Sequence, residues 1–267
     1  MHRDITRQIF NESVIRLSCF PLVRVQTIQQ KRLKDAEHGP KRGAFQILME
    51  LVEKQKISLW KGAEASMIIA VIKGSGLPNI IGSFLNSFLP INIQSILSTI
   101  VEPFLVYPFD LARVKLSDAE TLETNSLQVL SRVFHKSGLF GLYRGLPISI
   151  LSKLIFKTLF FTLHSTLASI YPSRSHSEIY LRITFTSAFV HLATYPLMTI
   201  MRRMQVESAE EDKKTTHGGY IQSVKHIIKE GGIKAFYDGY QLHICNTVLS
   251  SLLLLGTDYL YNSLFKK

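Results

Sequence analysis

Ionisable side chains inside apolar stretches are the residues of this sequence whose types and spacing could do chemistry. Lys153 and Lys157 are four residues apart, so on a helix they lie on the same face. Because a charged side chain in lipid costs at least about 2.5 kcal/mol, such residues usually line a polar cavity or bind a solute. Several bases with few acids would attract an anion. The candidates are Arg16, Lys73, Lys153, Lys157, His191 and His243, with the acid Glu102 among them.

A second interpretation of these side chains needs no substrate. The bases could extend to water at the helix ends or pair with Glu102, and the cavity would then hold only solvent. The sequence leaves both interpretations open.

Six apolar segments must position these side chains. A membrane-spanning helix needs about 20 mostly apolar residues, and the first segment is the weakest because Arg16 lies in it. We therefore expect an all-α membrane protein with six transmembrane helices. The predicted spans are 6–28, 63–86, 91–116, 146–170, 178–204 and 240–264.

Charge and composition agree with a membrane protein. Charged residues make up 19% of the chain, against about 25% in soluble proteins, and hydrophobic residues make up 46%. The net charge of +11 lies mainly between the apolar segments, as at Lys213 and Lys214, whereas a nucleic-acid binder gathers its bases into one patch. Cys19 and Cys245 have no metal-ligand spacing, and no catalytic constellation or phosphate loop is present. We expect no enzyme, no metal site and no nucleic-acid partner.

Three similar segments follow one another along the chain. An aromatic residue precedes proline in Phe20-Pro21, Tyr107-Pro108 and Tyr195-Pro196, at intervals of 87 and 88 residues. Pro21, Pro108 and Pro196 are each predicted to kink a helix, because proline removes a backbone hydrogen bond. We therefore predict one domain, 1–267, with repeats of about 1–88, 89–172 and 173–267.

Each repeat continues with the same succession of elements. A short amphipathic helix is predicted at 45–52, 127–134 and 221–228. An aromatic residue, one further residue and glycine then open the next span, in Trp60-Lys61-Gly62, Tyr143-Arg144-Gly145 and Tyr237-Asp238-Gly239. Three copies of one succession at nearly equal spacing indicate a repeat architecture.

These motifs resemble the mitochondrial carrier family over essentially the whole chain. Pro108-Phe109-Asp110-Leu111-Ala112-Arg113 fits the family signature on odd-numbered helices, and Trp60-Lys61-Gly62 and Tyr143-Arg144-Gly145 fit the opening of the even-numbered ones. The resemblance implies a pseudo-threefold bundle around a water-filled cavity in the inner mitochondrial membrane, with the short helices on the matrix side. It also places central contact points near Ile69, Ser152-Lys153 and Asn246, which adds Asn246 to the cavity candidates.

The gate charges of the resembled family are mostly missing. In that family an acid after each proline pairs with a base of the neighbouring repeat. The acid positions here are Val23, Asp110 and Met198, and the base positions are Gln26, Arg113 and Met201. At the opposite gate only Asp258 is kept. With Asp110, Arg113 and Asp258 as remnants, we expect that the full ring of ion pairs does not form.

A lipid site is the other expectation from the resemblance. Free N–H groups at a helix start can bind phosphate. Lys61-Gly62 and Arg144-Gly145 match the motif at which the family holds cardiolipin, and Gly239 takes the third place beside the acidic Asp238. Glycine for close helix packing explains the same residues without lipid. We expect no other cofactor.

Two functions remain after these steps. The missing gate charges favour a transport-impaired structural or assembly subunit of a larger inner-membrane complex. The basic cavity favours an active carrier that exchanges a small anionic metabolite, such as a nucleotide, phosphate or carboxylate. Placement in the outer membrane is a further alternative, for which the sequence offers no direct sign.

Overall fold

The computed structural model describes residues 2–31, 43–54, 58–89, 93–117, 123–172, 175–207 and 220–265. Within these ranges it contains ten α-helices, two short 3₁₀ helices and no β-strand. The α-helices are α1 His2–Lys31, α2 Ala44–Lys54, α3 Ala63–Gly74, α4 Leu77–Asn86, α5 Gln94–Leu116, α6 Ser126–Leu142, α7 Leu146–Ile170, α8 His176–Glu207, α9 Tyr220–Gly231 and α10 Tyr240–Phe265. The predicted all-α class is therefore confirmed.

The helices follow the predicted threefold succession. Each repeat has a long odd helix (α1, α5 or α8), a short helix (α2, α6 or α9) and an even segment (α3 with α4, α7, or α10). Neighbouring long elements pack in the order α1, α3, α5, α7, α8 and α10, and α10 returns to pack on α1. The long helices thus form a closed ring with space at its centre.

The second predicted span was wrong in one respect, because 63–86 is not a continuous helix. It is broken at Ser75 and Gly76, and α3 and α4 are bent by 44° relative to each other. A Cβ atom at Gly74 would lie 2.7 Å from Ile9 Cα on α1, and one at Gly82 would lie 2.9 Å from the Ser98 nitrogen on α5. The two halves thus approach different odd helices, and the bend permits both close contacts.

Length and composition distinguish the long elements. Among the described residues, Gln94–Leu116, Leu146–Ile170 and Ser177–Val206 are long and apolar enough to cross a membrane, and the bent pair α3–α4 makes a fourth if it counts as one span. Helix α1 is long enough but carries Arg7, Glu12, Arg16 and Arg24. Its polar side chains face the centre of the ring or a neighbouring repeat, so the surface of α1 is not apolar on all sides.

Three equivalent hydrophobic clusters hold the short helices in place. In each repeat the part of the odd helix that follows the proline packs against the apolar face of the short helix. The odd helix and the short helix contribute to one cluster in each repeat: Val25 and Ile47 in the first, Leu116 and Val129 in the second, and Ile200 and Ile227 in the third. This packing explains why each short helix has one apolar face and one polar face.

The glycines that open the even segments place the repeats around a common axis. Gly62, Gly145 and Gly239 have φ angles of +88°, +92° and +82°, a conformation that favours glycine. Each packs against the odd helix of the next repeat. Gly62 lies against Arg113 and Leu116, Gly145 against Met201 and Met204, and Gly239 against Gln26. The contacts run from repeat one to two, two to three and three to one, as a pseudo-threefold axis requires.

Candidate functional site

A cavity of about 690 Å³ lies at the centre of the ring. All seven cavity candidates from the sequence line it, namely Arg16, Lys73, Lys153, Lys157, His191, His243 and Asn246. Its charged lining among the described residues consists of six bases and three acids. These are Arg16, Lys73, Arg113, Lys153, Lys157 and Arg202, with Glu12, Glu102 and Asp110. The excess of bases gives the cavity a positive field.

One wall of the cavity carries a cluster around Glu102. Its Oε1 atom lies 2.7 Å from Lys73 Nζ and 3.0 Å from Lys153 Nζ. Lys157 lies one turn further along α7 and donates to Thr99 Oγ1 at 2.7 Å and to the Ser95 carbonyl oxygen at 3.0 Å. The pairing with Glu102 that one interpretation of the sequence anticipated is therefore present for Lys73 and Lys153.

A second wall of the cavity carries the two histidines. The rings of His191 on α8 and His243 on α10 have centroids 4.3 Å apart, and Phe156 lies 4.4 Å from His191. His191 Nδ1 lies 2.7 Å from the Ser187 carbonyl oxygen, as it would when donating a hydrogen bond. His243 Nε2 and Asn246 Oδ1 are buried and have no hydrogen-bond partner in the described part of the chain. This wall is polar but carries no fixed charge.

Arg16 stands apart from both walls. Its Nε atom lies 3.0 Å from Glu12 Oε2, one turn earlier on α1. Arg16 therefore pairs with Glu12, whereas Lys73 and Lys153 pair with a different acid, Glu102. Arg16 and His191 each precede a proline by five residues, so they occupy equivalent positions in the first and third repeats.

The end of the cavity nearest the short helices is closed by Asp110. Its Oδ1 atom accepts from Arg113 Nη2 at 2.7 Å, and its Oδ2 atom accepts from Arg202 Nη1 at 2.5 Å and from Gln205 Nε2 at 3.1 Å. Arg202 and Gln205 lie on α8, so the carboxylate joins repeats two and three. The side chains of Asp110 and Arg202 are 17% and 12% exposed, so this ion pair is largely shielded from water.

This ion pair was not predicted from the sequence. The family position for the base is Met201, whereas the base that reaches Asp110 is the next residue, Arg202. One residue turns the helix by about 100°, but the long arginine side chain spans the difference. Asp110 therefore has no base at the usual position of the neighbouring repeat, which is Met201, but it has one at the next residue. The Arg202-Arg203 pair in the third signature was the signal that could have identified it.

The other two junctions at this end are joined by hydrogen bonds to uncharged oxygen atoms. Between repeats three and one, Gln30 Nε2 donates to the Tyr195 hydroxyl at 2.9 Å, and Gln26 Nε2 donates to it at 3.4 Å. Between repeats one and two, Arg24 Nε donates to the Ser117 carbonyl oxygen at 3.3 Å. The full ring of ion pairs is therefore absent among the described residues, but all three junctions are bonded. The side chain of Asp258, the third predicted gate remnant, lies outside the described part.

The sequence of the chain matches the sequence model of a known protein family. Residues 85–175 and 183–267 match the sequence model described as "Mitochondrial carrier protein", which is more than half of the chain. The chain belongs to the mitochondrial carrier family. The two matched ranges cover the second and third repeats, the two that share the Asp110–Arg202 ion pair.

Similar proteins are found among ADP/ATP carriers. ADP/ATP translocase 2 of Tachyglossus aculeatus aculeatus is 27% identical over 143 residues, which is 50% of this chain and 48% of that protein. ADP/ATP translocase 2 of Bos taurus is 26% identical over the same extent. ADP,ATP carrier protein 1, mitochondrial, of Triticum aestivum is 26% identical over 181 residues, 61% of this chain and 52% of that protein. The chain spans about half the length of the curated relatives it matches.

The prolines of this mitochondrial carrier lie inside continuous helices. Pro21 is in α1, Pro108 in α5 and Pro196 in α8, and each removes one backbone donor from its helix. In the second and third repeats the tyrosine before the proline donates to a carbonyl at the start of the even helix. Tyr107 bonds to Arg144, and Tyr195 bonds to Asp238 at 3.0 Å. Phe20 has no hydroxyl, so the first repeat lacks this bond.

The candidate lipid residues lie at the starts of the even helices. Beside Lys61 and Gly62, the Glu64 carboxylate accepts hydrogen bonds from the Ser126 backbone N–H and, at 2.7 Å, from its hydroxyl. Glu64 therefore occupies the N-terminus of α6, where a phosphate would otherwise bind. At the other two junctions α9 and α2 take the place of α6. The residue before α9 lies outside the described part, as do the residues before Gly43 at the start of α2. Cardiolipin binding stays a prediction for Arg144, Gly145 and Gly239, and at Lys61 a lipid phosphate would have to compete with Glu64.

Proposed function

We propose that the protein is a membrane carrier that exchanges a small anionic solute by alternating access. The observation that carries this proposal is the central cavity, in which six bases face three acids. Acids and bases buried among helices are costly unless they serve a polar path. A structural subunit would gain nothing from holding this positive excess inside its bundle.

The bonded junctions support a moving protein. Alternating access needs two states of similar energy, joined by contacts that can break and re-form. The Asp110–Arg202 ion pair and the Tyr195–Gln30 hydrogen bond are contacts of this kind. The sequence favoured a transport-impaired assembly subunit because the gate charges were missing at their usual positions. Because Arg202 supplies a base to Asp110, the missing gate charges give less reason to favour an assembly subunit.

Location and partners belong to the same proposal. The wheat relative carries the word mitochondrial in its name, and the family does as well. We therefore place the protein in the inner mitochondrial membrane as a multi-pass protein, with the short helices toward the matrix and cardiolipin as a lipid partner. Because the relatives are named for ADP and ATP, both nucleotides belong in a substrate screen.

Counter-exchange in liposomes tests the proposal. The purified chain would be reconstituted with labelled phosphate, dicarboxylates, ADP or ATP on one side and unlabelled anion on the other. We expect saturable exchange with at least one of these anions, and a loss of at least about tenfold in the Lys153→Ala/Lys157→Ala variant. The matched control is Lys225→Ala/Lys229→Ala, which removes two exposed lysines with the same spacing from α9.

One result would reject a carrier. It is the absence of exchange with every anion while the protein co-purifies in fixed ratio with a larger membrane complex, which would return the assembly-subunit function. Exchange that falls equally in both double variants would leave a carrier but would reject the cavity lysines as its anion-binding residues.

A further inference from the structure

Glu102 holds two lysines of the cavity at a single atom. Lys73 from α3 and Lys153 from α7 both bind Oε1, while Glu102 itself lies on α5. Three helices of two repeats thus meet at one carboxylate oxygen. All three side chains remain partly exposed to the cavity, at 32%, 27% and 32% for Lys73, Glu102 and Lys153. A dissolved anion could therefore reach the ammonium groups that this carboxylate now holds.

The cluster carries more positive charge than Glu102 can balance. Lys157 adds a third ammonium group, and its bonds are to two neutral oxygens, Thr99 Oγ1 and the Ser95 carbonyl. Three ammonium groups with one carboxylate leave two positive charges. The other acids that line the cavity among the described residues, Glu12 and Asp110, lie beside arginines of their own. Among the described residues, the ion pairs of Glu12 and Asp110 are with these arginines and not with the lysines.

A smaller pocket continues from the cluster into the bend between α3 and α4. Its volume is about 140 Å³, which suits one carboxylate or phosphate group rather than a nucleotide. Hydroxyl and amide groups complete its polar lining. It is lined by Lys73, Pro78, Asn79, Ser98, Thr99, Glu102 and Lys157. An anion at the lysines would therefore have space and neutral donors on this side of Glu102.

We propose that Glu102 is a specificity-determining residue, an internal counter-ion that takes the place of the solute in the empty carrier and selects solutes with two negative charges. This inference rests on the proposed function and names the solute class of the same cavity. A dianion balances the net charge of the lysine cluster, whereas a monoanion leaves one charge unbalanced. A trianion exceeds the available charge and is repelled by Glu102.

Carboxylates of increasing charge provide the test. Propionate, succinate and propane-1,2,3-tricarboxylate carry one, two and three negative charges at about pH 7.5. Apparent affinities of the purified full chain would be measured from the thermal shift that each probe causes, since a ligand that binds the folded state raises Tm. For the unmodified protein we expect the tightest binding with succinate.

The Glu102→Gln variant should reverse this order. Removing the carboxylate raises the net charge of the cluster from two to three, so the tricarboxylate should gain on succinate by about tenfold or more in relative affinity. Glu12→Gln is the matched control, because it removes the same charge from the same cavity but leaves Lys73 and Lys153 paired. It should change the tricarboxylate-to-succinate ratio much less than Glu102→Gln does.

Lys157→Gln gives an independent measurement that keeps the Glu102 ion pairs intact. It lowers the net charge of the cluster to one, so propionate should gain on succinate by about tenfold. Equal shifts of the affinity ratio in Glu102→Gln and Glu12→Gln would overturn the inference, as would an unchanged ratio in Lys157→Gln if Glu102→Gln does not fold. If the unmodified protein exchanges anions but these ratios do not move, only the inference fails. If it binds and exchanges none of the anions, the proposed function fails with it.

Discussion

Two junctions between repeats are joined at the same end of the bundle by different kinds of contact. Between repeats two and three, Asp110 binds Arg113 and Arg202 through charged hydrogen bonds. Between repeats three and one, the hydroxyl of Tyr195 accepts from Gln30 and Gln26, and no charged pair is involved among these residues. Both junctions lie close to the prolines of odd helices, at the end that carries the short helices.

The difference shows how a carrier can lose gate charges and keep its closure. A shielded ion pair has a strong internal attraction but a large desolvation cost, so its net contribution can be small. A hydrogen bond between neutral side chains contributes about 1 kcal/mol with less desolvation. Replacing charges with Gln and Tyr at one junction therefore preserves the contact. It also makes that junction less sensitive to salt than the one that contains Asp110.

The largest expected effect comes from Asp110→Ala. It leaves Arg113 and Arg202 close together without their shared acid, so we expect a loss of about 3 kcal/mol in unfolding free energy. Thermal unfolding in detergent would measure it. Glu12→Ala is the control, because its arginine partner is more exposed to water, and a loss as small as that of Glu12→Ala would contradict the account.

A smaller effect is expected when the charged junction is made neutral as a whole. In the triple variant Asp110→Asn/Arg113→Gln/Arg202→Gln no charge is left unpaired, and the amides can hydrogen-bond as at the other junction. We expect it to lose less than about 2 kcal/mol by the same measurement. A loss equal to or above that of Asp110→Ala alone would show that the ion pair has no neutral substitute.

The neutral junction should respond more weakly to a single change. Tyr195→Phe removes the hydroxyl that accepts from Gln30 and donates to the Asp238 carbonyl, at a cost of about 1–2 kcal/mol. Stability of this variant and of Phe20→Tyr can be compared, since Phe20 occupies the equivalent position without a hydroxyl. A loss in Tyr195→Phe that matches Asp110→Ala would remove the distinction between the two junctions.

The smallest expected difference is the one between the two glycines behind these junctions. A Cβ at Gly145 would lie 2.6 Å from the Tyr107 hydroxyl, and one at Gly239 would lie 3.1 Å from the Tyr195 hydroxyl. Both glycines have positive φ, so either alanine costs about 1 kcal/mol in backbone strain. Gly145→Ala should therefore be the more destabilising, by a further ~1 kcal/mol. Gly76→Ala is a control for strain alone, because nothing lies within 4 Å of its Cβ position.

The scaffold could be predicted from the sequence because its marks are local. Proline inside a helix, a short amphipathic helix and glycine at a helix start each have a cause within a few residues, and their threefold repetition gives the architecture. The bend at Gly76 escaped prediction because it depends on distant contacts. Gly74 must approach α1 and Gly82 must approach α5, and neither requirement is visible in the span itself.

The sequence predicted which side chains line the cavity, but it did not predict most of the contacts between them. Charged side chains inside apolar runs must be cavity or pairing residues, which is why Lys73 and Lys153 could be named beforehand. Their common partner atom on Glu102 depends on how three helices are placed. Arg202 was not predicted for a related reason. The resembled family places the base at Met201, and the sequence does not show that the long side chain of the next residue reaches Asp110.

Charge reversal at the Asp110–Arg202 pair tests the central claim most directly, because it asks whether this junction is a working latch in an anion carrier. Anion counter-exchange would be compared in liposomes containing the unmodified protein, Asp110→Arg, Arg202→Asp and the double variant. We predict saturable exchange by the unmodified protein, a loss of about tenfold or more in each single variant, and substantial recovery in the double variant, in which the opposite charges face each other again. No exchange by the unmodified protein, or a double variant as inactive as the single ones, would contradict the account.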